Sequence, residues 1–319
     1  MKTFDEIITS GELNVEQFEM FRREKIEERK RKSNKGLLIG GIIFCIGLII
    51  SIITYNGAFF IIGFVVGVIT FFIVRGNTRG QFIKAFKAEF LTKLVKTIDQ
   101  NLEYEPGKSI SRENFKKSDF IKNYSRFSGE DYLFGLINNI LFEFSEITIE
   151  VKRDKSYSTI FKGPFYIIDT PVEFNSRTSV VPDSLEKFLG GAGRFFQKLN
   201  FGKGDLMQFQ NPEFEKEFAI YSGNANEAQQ YLNENVINFL LDLKHQYKSV
   251  YFGFSEKKIY LGIDNRDDLF SVNFTSPIDN QILMKYYNEL SLHLNLIERV
   301  FNLLIPSEEE SNIAHPLLS

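Results

Sequence analysis

Residues 36–74 form an apolar run without a single charged side chain. A helix rises about 1.5 Å per residue and a hydrocarbon core is about 30 Å thick, so about 20 residues cross once and this run suffices for two crossings. Asn56 and Gly57 lie at its middle, and both residue types accept the positive φ of a tight turn. The pattern predicts a transmembrane hairpin over residues 36–75, with spans at 37–55 and 58–74. Basic residues crowd both outer flanks: Arg22, Arg23, Lys25, Arg29 and Lys35 before it, Arg75, Arg79, Lys84 and Lys87 after it. The turn carries no charge, so the positive-inside bias places both termini in the cytoplasm and the hairpin in the inner, cytoplasmic membrane.

The flanking patterns are helical. Residues 1–35, rich in Glu, Arg and Lys, are expected to form a charged, solvated N-terminal helix. Within 76–105, Phe82, Phe86, Phe90, Leu94 and Ile98 recur every four residues with lysines off that line, which predicts an amphipathic juxtamembrane helix continuing from the second span. It would dock on the domain that follows or act as a membrane-surface or coiled-coil element. Pro106 and Gly107 close it.

Residues 106–305 are expected to form a cytoplasmic domain. Residues 141–153 and 157–169 read as strands around a turn at Asp154, and 205–221 return to strands. A single helix is expected from Asn224 to about residue 247, capped by Asn224 with Glu227 at the answering position. Residues 250–254 and 258–263 read as a hairpin, 269–274 as a further strand, and 280–304 as a last helix. Residues 306–319 read as a disordered tail. The expected class is α+β: a two-helix transmembrane hairpin, then a mixed, mainly antiparallel sheet domain with flanking helices.

Composition changes this picture little, but charge narrows the partners. The net charge is −3, and with the basic residues gathered beside the hairpin, the chain beyond residue 100 is acidic. Basic flanks suit an anionic leaflet. An acidic domain suits nucleic acid poorly, because phosphate contacts dominate that affinity. The only cysteine, Cys45, sits in the first span, so neither a disulfide framework nor a thiolate metal cluster is expected.

Candidate chemistry is sparse. Gly107-Lys108-Ser109 resembles the end of a phosphate loop, but Leu102 stands where the first glycine belongs. Gly190, Gly191 and Gly193 with Arg194 could present amides and a cation to an anion, with Asp169 as a carboxylate of the same ligand site, but a mobile surface loop is the reading the glycines favour. Glu213, Glu215 and Glu217 alternate with Phe214 and Phe218, as on a strand with one acidic face. His245, His293 and His315 have no metal-ligand spacing, and His293 falls among apolar helix positions. Neither catalytic residues, nor a metal, nor a cofactor is expected.

Several stretches in this order, YSRFSGEDYLFG (124–135), FEFSEI (142–147), FKGPFYIID (161–169), LMQFQNPEFEKEFAIYS (206–222) and FSEKKIYLGI (254–263), resemble a bacterial membrane-anchored family known as domain of unknown function 3137, DUF3137. The resemblance covers about residues 100–275. It implies recurring positions at Asp131, Phe161, Gly163, Phe165, Asp169, Pro182, Asp183, Phe214, Glu215, Phe218 and Tyr221. After Asp169 the chain departs from the family pattern with Thr170, Pro171 and Val172. The family has no assigned activity, and its resemblance implies a LemA-like membrane protein as partner.

The expectation from these readings is a membrane-anchored interaction or regulatory module that binds a protein partner, with homo-oligomerisation through its flanking helices. The alternative is a membrane-bound enzyme or ligand-binding domain acting on a lipid headgroup or nucleotide.

Overall fold

A computed structural model of the chain describes residues 1–183, 205–207, 209 and 211–305. The chain divides into two compact units. A helical unit holds residues 2–94 and 272–287, and a sheet unit holds 95–271 and the chain from 288 onward together with Met1.

In the helical unit, α1 (Phe4–Ser10) opens on a capping box between Thr3 and Glu6. Next comes α2 (Val15–Thr54), whose charged first half and apolar second half are one uninterrupted helix. Tyr55 then takes a left-handed conformation at φ 51°, and Asn56 Oδ1 accepts from the Ala58 amide at 3.0 Å to start α3 (Ala58–Arg75). The expected turn is therefore present. Both helices are long and apolar enough to cross a membrane. Leu37, Ile53 and Ile73 are each more than three-fifths exposed in the protein alone. Side chains of this kind ask for an apolar surrounding, which suggests membrane association.

The hairpin is held by backbone proximity. A Cβ built on Gly40 would meet Gly67 O at 2.6 Å, and one on Gly47 would meet Gly63 Cα at 2.7 Å. Gly41, one position along, has nothing within 4 Å. Close approach through small residues is a packing mode that needs no hydrophobic drive between the helices.

The amphipathic helix does not continue from the second span. Gly76 at φ 60° and Asn77, whose Oδ1 caps Gly80 N at 2.9 Å, separate α3 from α4 (Thr78–Phe86). A π-helical turn, Lys87–Leu91, follows. The first half of α2 is not a solvated projection either. Phe18 meets Phe86 and Phe90 with ring centroids 6.3 and 5.0 Å apart, and Phe21 meets Phe82 at 5.9 Å. Two aromatic positions among many charges suffice, because each buries a large apolar area. Arg22 is buried and donates to Phe274 O at 3.2 Å while pairing with Glu19 at 2.8 Å. Glu19 also accepts from Ile278 N at 2.8 Å, and the Arg22 guanidinium holds its carboxyl down at about 2.

The sheet unit begins within α5 (Thr92–Ile98). Residues 102–105, expected at the end of the amphipathic helix, form strand β1 (Leu102–Glu105). The polar stretch after Pro106 contains α6 (Arg112–Ser118), capped by Ser111 accepting from Asn114 N at 3.0 Å. The strands β2 (Arg126–Ile137), β3 (Ile140–Arg153) and β4 (Ser156–Pro182) form a meander. After β5 (Asp205–Met207) comes a helix, α7 (Pro212–Glu217), where alternation predicted a strand. Pro212 at the first helical turn and Asn211 accepting from Phe214 N at 3.0 Å overrode the alternating pattern. β6 (Phe218–Ser222) follows.

The helix expected from Asn224 is two helices, α8 (Ala225–Tyr231) and α9 (Glu234–Gln246). Asn233 between them caps α9 by accepting from Asn235 N and Val236 N at 3.0 and 3.1 Å. Asn233→Ala is expected to cost about 1 kcal/mol, read as a small fall in the thermal midpoint by circular dichroism. Asn224 does cap α8, but Glu227 does not answer it. Its buried carboxylate instead accepts from Asn175 N at 2.8 Å, Asn175 Nδ2 at 3.0 Å and Ser176 N at 2.9 Å, fastening α8 to the bend of β4. Glu227→Ala leaves those amides without their acceptor. The expected loss is about 2 kcal/mol, checked by chemical unfolding of the full chain in detergent.

The hairpin expected at residues 250–263 is a single strand, β7 (Ser249–Asp264). It runs antiparallel along β4 from Phe165 opposite Gly262 to Val180 opposite Phe252, with irregularities around Phe174. The polar Ser255-Glu256-Lys257 is a bulge, Glu256 lying at φ 55°, and not a chain reversal. Residues 269–274 contain no strand. The last helix, α10 (Asn280–Leu304), is as expected.

All seven described strands join in one sheet, in the order β1-β2-β3-β4-β6-β5, with β7 on the other edge of β4, and every described pairing is antiparallel. The class is α+β. One face buries Ile147, Ile149, Phe165 and Ile167 against Phe115 and Phe120. The alternate positions Phe144, Tyr166 and Ile168 point to the opposite face. Gly163 lies at φ 150°, where a Cβ would meet Ile263 O at 2.3 Å, so only glycine lets β4 and β7 approach there.

Candidate functional site

The sheet unit carries a cleft of about 380 Å³ on the face opposite Phe165. Strand β4 supplies Pro164 and Tyr166 to its floor. Helix α9 contributes through amphipathicity: Val236, Phe239, Leu240 and Leu243 are buried, while Asp242 and Gln246, four apart on one side of the helix, stand exposed at the cleft. The segment after β7 adds Asn265, Asp267, Asp268 and Leu269, and α10 adds Glu289, Leu292, His293, Leu296 and Arg299.

His293 is deeply set in the site, only 6% exposed. It occupies the buried stripe of α10 between Leu290 and Ile297, and its ring lies 4.6 Å from that of Phe144. Its Nδ1 is 2.6 Å from the Tyr166 hydroxyl. Burial pushes the imidazole down to about 4 and the phenol well up, so both are neutral at neutral pH. The pair is a hydrogen bond between two buried neutral groups, which positions the imidazole without charging it.

The loop that forms the acidic lip is pinned by a partly buried network. Leu269 N donates to Glu146 at 2.7 Å, Lys162 pairs with Asp268 and lies 3.8 Å from Glu146, and Arg266 N donates to Lys162 O at 3.1 Å. Asp264 is paired with Arg266 at 3.4 Å. Burial raises the carboxyls of Glu146 and Asp264. These contacts are spent on the loop's shape. Among the described residues no group of three or more His, Cys, Asp or Glu side chains is placed to hold a metal ion.

Of the described residues singled out from sequence, His293 lines this cleft, and Asp169 and Glu215 are not among its lining. Asp169 lies on β4 opposite Lys258, which donates to its carboxylate. Gly190, Gly191, Gly193 and Arg194 lie outside the described residues, as do His315 and the tail. Glu215 accepts from the Phe209 amide, and Phe214 packs on Phe218 with ring centroids 5.0 Å apart. Asp131, at φ 60° and fully buried, accepts from the Tyr104 hydroxyl. His293 was visible in sequence as a polar residue on an apolar stripe. Asp242 and Asp267 carried no signal, because 24 residues of chain, a whole strand among them, separate them.

Residues 159–302 match the family model described as "Protein of unknown function (DUF3137)". The similarity read from the sequence therefore holds over that stretch, which ends later and begins later than the motifs suggested, and every residue lining the cleft falls inside it. No curated protein matches the chain. A solved structure, the crystal structure of the mycobacterial trehalose monomycolate transport factor A, TtfA, is similar with 10% identity over 68% of this chain and 97% of that chain, at a TM-score of 0.34, a likeness that carries no argument.

Proposed function

We propose that the protein is a membrane-anchored interaction module. In this reading α2 and α3 cross the inner membrane as a hairpin, both termini face the cytoplasm beside the basic flanks, and the sheet unit binds another protein through its cleft. The observation that carries the reading is the cleft itself. Its floor sets apolar side chains around the Tyr166–His293 pair, Leu292 beside it is 59% exposed, and Asp242, Gln246 and Asp267 stand at its lip without a side-chain partner among the described residues. Exposed apolar surface rimmed by uncommitted polar groups is how protein-binding sites are built.

The lipid-headgroup or nucleotide alternative has less support. It depends on residues 190–194, which lie outside the described residues, and on Asp169, whose carboxylate Lys258 already engages. A photo-crosslinking amino acid at position 292, in the full chain in native membranes, tests the module reading. A discrete adduct with a polypeptide, lost when excess unlabelled full chain competes for the partner, is the expected result; absence of any polypeptide adduct would remove the reading.

A further inference from the structure

We propose that the cleft takes a lysine or arginine side chain of a partner polypeptide, an inference that rests on the interaction-module reading and names what the module recognises. The lining carries four carboxylates, Asp242, Asp267, Asp268 and Glu289, against one cation, Arg299. Two of these carboxylates are already engaged: Asp268 by Lys162, and Glu289 by the Phe270 amide at 2.8 Å. Asp242 and Asp267 have no ion-pair or hydrogen-bond partner for their carboxylates among the described residues. Arg299 is laid over the Phe239 ring, 4.8 Å from its centroid. The unspent charge at the lip is negative and sits beside the exposed Leu292 and the half-buried Leu296.

That combination fits a long cationic side chain. Its methylene stem covers the leucines while its charged head stays with the carboxylates, which is how lysine and arginine bury their stems at interfaces. His293 is a second, independent pointer. It lines the cleft, is more than nine-tenths buried, and only its Nδ1 is engaged, leaving Nε2 without a partner among the described residues. The buried Tyr166 hydroxyl has Nδ1 as its acceptor, so Nε2–H is the unengaged donor, for which a backbone carbonyl of the partner polypeptide beside its cation is the acceptor. A phosphate would meet repulsion at the same lip.

The test uses the full chain in phosphatidylcholine nanodiscs and fluorescence anisotropy. The probe is an acetylated, fluorescein-labelled heptapeptide alternating leucine and lysine, with a glutamate-for-lysine version as control. The lysine peptide is expected to bind, and the glutamate peptide about tenfold or more weaker. The Asp242→Asn, Asp267→Asn double variant, altering two exposed positions that the fold does not use, is expected to weaken the lysine peptide about tenfold. Leu292→Ser alone should weaken it as well and keep the preference for lysine over glutamate. Equal binding of both peptides, unchanged affinity in the double variant, or no binding of the lysine peptide would each overturn the proposal. The crosslinking at position 292 separates the two levels: a polypeptide adduct with failed peptide arms sinks the cation preference alone, whereas no adduct sinks the module reading.

Discussion

Gly47→Leu is expected to open the α2–α3 hairpin, and Gly41→Leu is expected to leave it closed. The two glycines lie six residues apart on the same helix, in the same apolar run, and differ only in what faces them. At Gly47 a Cβ would sit 2.7 Å from Gly63 Cα and 2.8 Å from Phe59 O, both backbone atoms of a neighbouring helix that cannot swing aside as a flexible side chain would. Forcing four extra carbons into that contact must separate the helices, at a cost of about 3 kcal/mol. At Gly41 nothing lies within 4 Å, so a leucine there simply joins the apolar surface. Spin labels at Leu37→Cys and Ile73→Cys, in a Cys45→Ser background, read the result by pulsed electron resonance. The native distance distribution should be narrow, survive Gly41→Leu, and broaden and lengthen in Gly47→Leu. A narrow, unshifted distribution in Gly47→Leu would mean that the glycines do not hold the hairpin.

The second large effect is a loss of stability on acidification that belongs to His293. Its folded pKa is depressed to about 4 by burial, whereas an unfolded histidine titrates near the ordinary value of 6.5. Above about 6.5 both states are neutral and the residue contributes no pH dependence. As pH falls below that value the unfolded chain takes up a proton that the folded chain refuses, so stability declines until about pH 4 and levels off below it. The difference corresponds to about 3 kcal/mol across that window. Glu146 and Asp264 have raised pKa values and act with the opposite sign, gaining stability as pH falls through their range. Comparing the native chain with His293→Gln cancels their contribution. The difference in thermal midpoint between the two, measured in detergent from pH 7 to pH 4, should shift against the native chain by several degrees per kcal/mol lost. A constant difference across that range would show that His293 is open to water.

Both predictions concern features that were half legible in the sequence. The apolar run and its break at Asn56-Gly57 determined the hairpin, because the length of a bilayer crossing and the turn chemistry of two residues are local constraints. Which glycines touch is not local: Gly40, Gly41 and Gly47 look alike until the rotation of one helix against the other is known. The same division holds in the sheet unit. Alternation at 141–153 and 157–169 around Asp154 makes the hairpin of β3 with the first half of β4 legible, though not the continuation of β4 to Pro182, and the apolar period of three and four makes α10 legible. Ser255-Glu256-Lys257 has turn composition and predicts a hairpin, whereas β7 is one strand because the length of β4 beside it favours a bulge. Alternation of glutamate and phenylalanine predicts a strand at α7, whereas Pro212 and the Asn211 cap start a helix there.

By itself, then, the amino-acid sequence determined an apolar two-helix hairpin, an α+β class and the DUF3137 resemblance over the part carrying the cleft, all of them matters of composition, period and short-range order. The tertiary structure alone decided where chemistry can gather. It set His293 against Tyr166, separated from it by most of the sheet unit's chain, and brought Asp242 of α9 and Asp267 of the loop after β7 to one lip. Burial and proximity between distant segments are properties of the packed chain, and no pattern along it encodes them one residue at a time.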